Sequence, residues 1–244
     1  IRENVARVRA EIQAAAQACG RDPGEISLCA ATKMNDARAV REAIAAGVDC
    51  CGENRVQELV QKSGEDAYRG APVHFIGHLQ TNKVKQVVGK AALIQSVGSL
   101  PLLEAVEKEA EKQGIVQDIL LEVNLAGEAS KSGFSPETVL AGARLAAELN
   151  HVRLKGLMCI PPAAVMPGQN RPFFAKLRTL AVDIRQQMGD NKADTVCLSM
   201  GMSGDYSDAV AEGATFVRLG TALFGPRPPI HPAEESPTER GQFS

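Results

Sequence analysis

Eight short apolar runs, each followed by a helical pattern, recur along the 244-residue chain. That alternation restricts the fold more than any other feature. The runs cover residues 26–33, 48–51, 73–76, 92–97, 117–124, 152–159, 195–199 and 214–219. Near-continuous apolar character over so few residues marks strands buried on both faces, as in parallel sheets. Helical patterns fall between them at 37–46, 55–62, 83–88, 100–113, 136–149, 173–188, 206–212 and 221–224. One further helix, 1–19, precedes the first strand, with apolar positions Val5, Val8, Ile12 and Ala16. Strict alternation of this kind belongs to parallel α/β proteins. Eight units without a compositional break predict one (β/α)8 TIM barrel with an extra N-terminal helix. The rival is a doubly wound open sheet, which carries a Gly-rich turn after its first strand. Here that strand ends Thr32-Lys33-Met34. Residues 1–225 therefore read as a single domain, and 226–244, rich in Pro and charge, as a tail.

Charge and composition narrow the function. Lys plus Arg is 27 against 29 for Asp plus Glu, which gives no electrostatic reason to expect nucleic acid or an anionic membrane surface. Trp is absent and aromatics are only 4%, too few for base-stacking platforms. No apolar run is long enough to span a membrane. The six cysteines form no C-x-x-C pair and no metal-ligand spacing, so no metal site is expected. All but Cys19 lie inside apolar runs, where cysteine behaves as a small hydrophobe. Reduced thiols and a cytoplasmic location follow as expectations.

The first apolar run, ISLCAATK, closes on Lys33. In a closed parallel barrel this is the carboxyl end of a strand, where such folds place their chemistry. A partly desolvated amine there loses its proton more easily and condenses with an aldehyde. Barrels often hold phosphate on the loops after strands seven and eight. The first of these loops is Ser199-Met200-Gly201-Met202-Ser203-Gly204-Asp205, and the second is Arg218-Leu219-Gly220-Thr221. Hydroxyls and glycine-freed N–H groups in both can cradle an anion. Closure makes strands one and eight neighbours, so a ligand with both an aldehyde and a phosphate meets both ends. Pyridoxal 5′-phosphate is such a cofactor. Arg218, which keeps its proton at neutral pH, would leave a facing pyridine nitrogen unprotonated and weaken the ring as an electron sink.

The order of motifs resembles the pyridoxal phosphate homeostasis protein family, single-domain relatives of the alanine racemase barrel. The matching segments are ATK (31–33), GENRVQE (52–58), HFIGHLQTNK (74–83), SVGS (96–99), EVNLAGEASKSGF (122–134), GLMCIP (156–161) and LSMGMSGDYSDAVAEGATFVRLGTALFG (198–225). They span nearly the whole barrel, and the last is the most specific. The resemblance implies a covalent Schiff base on Lys33. It implies Ser199, Gly201, Gly220 and Thr221, with Met200 in the same turn, around the phosphate. It also implies Arg218 at the pyridine nitrogen and Asn54 near the ring.

Other residues carry weaker readings. His78 is either a catalytic imidazole or a helix-capping residue, and His74 reads as a hydrogen-bonded core residue. Glu53 follows a glycine at a helix start and reads as serving that terminus. Gly127 to Gly133, with Lys131, reads as a solvated loop or a flap over the cofactor. Racemisation needs a base on each face of the substrate. Lys33 can serve one face, but Tyr68 and Tyr206 fall in loop or helix contexts. The leading expectation is therefore a protein that buffers or delivers pyridoxal phosphate, with dependent apoenzymes as recipients, acting as a monomer. The alternatives are a racemase of low activity and a barrel acting on a phosphosugar through a lysine imine.

Overall fold

The computed structural model describes residues 1–128, 131–188 and 197–226. Eight parallel strands close in chain order into a barrel: β1 (Ser27–Ala31), β2 (Cys50–Glu53), β3 (Val73–Phe75), β4 (Leu93–Val97), β5 (Gln117–Glu122), β6 (Val152–Met158), β7 (Cys197–Ser199) and β8 (Phe216–Leu219). Closure is made by β8 pairing with β1, where Cys29 stands opposite Arg218 and Ala30 opposite Leu219. The predicted TIM barrel is thus the observed one. All but the first residue of the predicted tail, 226–244, and the first residues of the seventh predicted run, 195–196, lie outside the described residues.

Helices α2 (Ala37–Ala45), α3 (Val56–Gly64), α4 (Leu100–Gln113), α5 (Val139–Glu148), α6 (Arg171–Met188), α7 (Tyr206–Ala211) and α8 (Thr221–Phe224) follow their strands, with α1 (Arg2–Ala18) ahead of β1. Local chemistry sets several ends. Asp36 accepts the Ala39 N–H at the start of α2, and Ser99 accepts from Leu102 at the start of α4. α4 stops at Gly114, whose φ of 67° suits glycine. The extra helix α1 buries Val5, Val8, Ile12 and Ala16 and packs against α7 and α8. It supplies apolar cover where the four-residue α8 is too short to do so.

Two predicted elements differ. Residues 83–88 were expected as an α-helix, but the chain forms a 3-10 helix at Thr81–Gln86. A 3-10 turn eclipses positions i and i+3. Val84 in this turn and Val87 at its cap are both buried, and the turn packs against α3 and α4. The second strand was expected at 48–51 but runs to Glu53, with all four of its residues buried. Gly52 permits this extension, because a Cβ there would come within 2.7 Å of Ile76 and 2.9 Å of the Cys29 sulfur. The Glu53 charge is met by Lys62.

The main core lies between sheet and helices. Fully buried side chains such as Leu103 and Phe174 contribute about 1.5–3 kcal/mol each. A second, small cluster of Leu93, Leu120 and Met158, with Ile160, Cys197 and Phe216 packed on it, fills part of the barrel interior. The barrel also buries a polar group of His74, Gln95, Glu122, Ser199 and Arg218.

Candidate functional site

All eight strands end at one rim, so residues that follow them converge there. Lys33 sits two residues beyond β1, partly buried, between buried Thr32 and exposed Met34. Met34 has φ 63°, a left-handed conformation unfavourable for a side-chain-bearing residue, so the turn needs support from outside.

That support is a buried ion cluster. Lys62, on the inner face of α3 with Val56 and Leu59, donates from Nζ to Glu53 Oε1 at 2.8 Å, to Glu58 Oε2 at 3.1 Å and to the Thr32 carbonyl at 2.8 Å. Glu58 Oε2 in turn accepts the Met34 N–H at 2.7 Å. Lys33 is therefore held on both sides by one charge network. Glu53 Oε1 also accepts from Thr32 Oγ1 at 2.5 Å and from the Tyr68 hydroxyl at 3.1 Å. Burial, then Glu53, pushes the Tyr68 phenol far above its ordinary value, so it stays a donor. Glu53 thus does not serve a helix terminus as expected. It is an internal counter-ion at the end of β2, with no exposed surface.

Opposite Lys33 stands the β8 loop. Lys33, Met34, Asn35, Gly220 and Thr221 share a cavity of about 120 Å³. A Cβ at Gly220 would lie 3.6 Å from the Ala31 carbonyl, a measure of how near the two strand ends are. Ser203 Oγ accepts the Ala222 N–H at 3.2 Å and so ties the β7 loop to the β8 loop. Gly201 has φ 90°, and its missing side chain leaves room for Ala209, whose Cβ would be 2.6 Å from a Cβ at Gly201.

Ser199 and Met200 are placed differently from the phosphate role the sequence suggested. Ser199 Oγ is buried inside the barrel, accepting from Arg218 Nη1 at 2.6 Å and donating to Gln95 Oε1 at 2.5 Å. Met200 is fully buried in the main core, and its N–H is taken by the Phe216 carbonyl at 3.1 Å. Strand alternation explains both: Ser199 points in, so Met200 points out.

Arg218 lies within β8, 4% exposed, and also donates to the Cys159 carbonyl at 2.9 Å. Burial lowers its pKa from the ordinary arginine value, while nearby Cys159, Cys29 and Glu122 act the other way. The Ser199–Gln95 link continues, with Gln95 Nε2 2.8 Å from His74 Nδ1. Burial lowers His74 to about 4, so the ring is neutral, and donation by Gln95 puts its proton on Nε2. This is the hydrogen-bonded core histidine the sequence suggested.

Asn54 follows β2 directly. It lines a larger cavity of about 550 Å³ with Gly77, His78, Glu122, Asn124, Lys131 and Ser132, among others. Its Oδ1 is buried without a hydrogen-bond partner. Gly77 lets the chain pass against Asn54, since a Cβ there would sit 2.1 Å from the Asn54 carbonyl oxygen. Glu122 closes the floor of the cavity, and burial raises its carboxyl above 4.5, opposed by Ser132, Arg218 and His78. His78 is exposed on the wall, and the 3-10 helix beyond it is capped at Gln80, so the histidine is not that cap. Lys131 reaches Glu128 at 2.7 Å and borders the cavity, so this loop is part of the wall; residues 129–130 lie outside the described residues.

The sequence reading missed the Glu53–Lys62–Tyr68 cluster and Gln95. Lys62 had a signal: it shares the helical face of Val56 and Leu59. Also missed was Cys29, Cys50 and His74, whose ligand atoms all lie within 4.8 Å of one another. They come from three strands, and spacing rules do not reach across strands.

The family model for the alanine racemase N-terminal domain matches residues 3–228. A pyridoxal phosphate homeostasis protein of Aquifex aeolicus is 41% identical over 225 residues, covering 92% of this chain and 97% of the relative. One from Pseudomonas aeruginosa is 42% identical over 227 residues, covering 93% and 96%. The structure of PipY of Synechococcus elongatus with pyridoxal phosphate bound superposes with a TM-score of 0.80 at 35% identity, over 92% of this chain and 99% of that one. The chain is therefore a barrel of the alanine racemase N-terminal class, and it belongs to the pyridoxal phosphate homeostasis protein family.

Proposed function

We propose that this protein binds pyridoxal 5′-phosphate reversibly through a Schiff base on Lys33 and serves the intracellular homeostasis of that cofactor. The observation that carries the reading is the shared cavity of Lys33, Gly220 and Thr221 at the β1–β8 junction. The donor set fits the group. An amine stands on one side, two tied glycine-containing loops stand on the other, and the buried Asn54 Oδ1 lacks a donor. Bound there, the cofactor supplies an aldehyde for an amine to capture.

Each residue has its own task. Lys33 offers the amine on a turn fixed by Glu58 and Lys62. Gly220, Thr221 and the Gly201 turn hold the phosphate. Arg218, buried below the rim and bonded to Ser199 and the Cys159 carbonyl, acts through its charge. Ser199, committed to Arg218 and Gln95, acts by orienting the guanidinium. The relatives named for pyridoxal phosphate homeostasis support buffering or delivery to apoenzymes as the role. Cys19, Cys29, Cys50, Cys51 and Cys159 are free thiols, which supports a reducing, cytoplasmic setting. Among the described residues no helix is long and apolar enough to cross a membrane.

Racemisation is the second reading, and the tyrosines count against it. Tyr68 is tied to Glu53, and Tyr206 pairs with Glu11 of α1, outside the barrel. The test is borohydride reduction of protein mixed with pyridoxal phosphate, followed by peptide mapping. One adduct on the Lys33 peptide, absent in Lys33→Ala, is expected. An adduct that survives Lys33→Ala overturns the reading. α-Proton exchange of amino acids in deuterated water well above that of free cofactor would establish the racemase instead. Sedimentation of the loaded protein checks the expected monomer, and reactivation of a pyridoxal-phosphate-dependent apoenzyme checks delivery.

A further inference from the structure

We propose that the barrel interior holds a soft monovalent cation, cuprous copper, between Cys29, Cys50 and His74. These residues come from β1, β2 and β3, adjacent strands of the barrel, and Cys29 and Cys50 are register partners. All three are buried, and their ligand atoms lie within 4.8 Å of one another. Cys50 Sγ is 3.6 Å from His74 Nδ1. Ligands about 2.0–2.3 Å from one metal ion stand about 3.5–4 Å from each other, so this spacing needs little adjustment. The absent side chain of Gly52 leaves the Cys29 sulfur its space.

The choice of ion follows from charge and softness. Two thiolates and an imidazole select soft ions such as copper(I) or zinc. Zinc with two thiolates is neutral, so it adds no counter-charge beside the buried Arg218, which stands opposite Cys29 in the sheet. Copper(I) with two thiolates carries one negative charge, which Arg218 balances. Zinc also favours a fourth ligand, whereas the group among the described residues has three. On binding, two thiol protons pass to solvent and two Cu–S bonds form. His74 Nδ1, already unprotonated, exchanges its Gln95 contact for the metal. Gln95 Oε1 keeps its bond from Ser199.

The test titrates the full chain, as purified and reduced, with copper(I) under anaerobic conditions against bicinchoninate as a chromophoric competitor. A Cys19→Ser/Cys197→Ala background removes the two cysteines that are not fully buried. One copper per chain is expected, with retention falling at least 100-fold in Cys29→Ala and in Cys50→Ala. Retention is expected to be unchanged in Cys51→Ala. It is also expected unchanged in Lys33→Ala, which separates this site from the proposed cofactor function. X-ray absorption of the loaded parent should show two sulfurs and one nitrogen, a readout that survives if a variant fails to fold. Equal retention in Cys29→Ala, or a sulfur-only shell, overturns the site. Zinc retained as tightly as copper overturns the monovalent assignment.

Discussion

On the β1–β2 side of the barrel mouth, buried charges meet charges: Lys62 pairs with Glu53 and Glu58, and the cluster fixes the turn that carries Lys33. On the β7–β8 side, a buried guanidinium meets only neutral oxygens, from Ser199 and the Cys159 backbone. Both sides hold a cation away from water, yet only the first pairs it directly with carboxylates. A paired charge makes a rigid support. A cation bonded only to neutral oxygens keeps more of its field, on which Glu122 and Asp205 act from further away. On the proposed function, one side positions the amine of Lys33 and the other conditions the ligand.

The contrast can be broken at either end. Lys62→Met should have the largest effect, because it strands the Glu53 carboxylate, which is 0% exposed. Removing one partner of a buried pair costs about 3–5 kcal/mol, read as a fall in the urea midpoint. Adding Glu53→Gln should recover part of it; no recovery would mean the two do not act as a pair. Arg218→Met should cost less, about 1–3 kcal/mol, since it leaves neutral acceptors rather than a charge. A loss as large as that of Lys62→Met would erase the distinction between the two sides.

Tyr68→Phe should cost about 1 kcal/mol, one hydrogen bond of several to Glu53 Oε1, since Thr32 and Lys62 still donate to it. The smallest effect concerns Glu122. Its folded pKa is raised above 4.5 by burial, so the fold favours its protonated form. That contribution is complete below the unfolded value and is lost as pH rises through the folded one. Glu122→Gln should therefore flatten the fall in unfolding free energy with rising pH above 4.5. An unchanged slope would show that the carboxyl is not desolvated.

The barrel and the position of Lys33 at its rim were legible because both rest on local pattern. Continuous apolar runs mark doubly buried strands, and a lysine ending one must leave the sheet at its carboxyl end. The place of Gly220 and Thr221 at the same rim was legible for the same reason. Ser199 and Met200 were only half legible: their turn was identified, but which of them points inward depends on the strand's register. Glu53 was misread because glycine before it suggested a loop, whereas in the barrel that glycine makes room for Ile76 and Cys29.

By itself, then, the order of residues determined the number of strands, their order, and which side chains end at the mouth, since period and turn chemistry act over a few neighbours. Only the closed barrel decided that Lys62 reaches Glu53, that Gln95 links Ser199 to His74, and that Cys29 and Cys50 lie beside that histidine. Those meetings join residues from 9 to 104 positions apart. Ring closure brings them together, and no local periodicity encodes it.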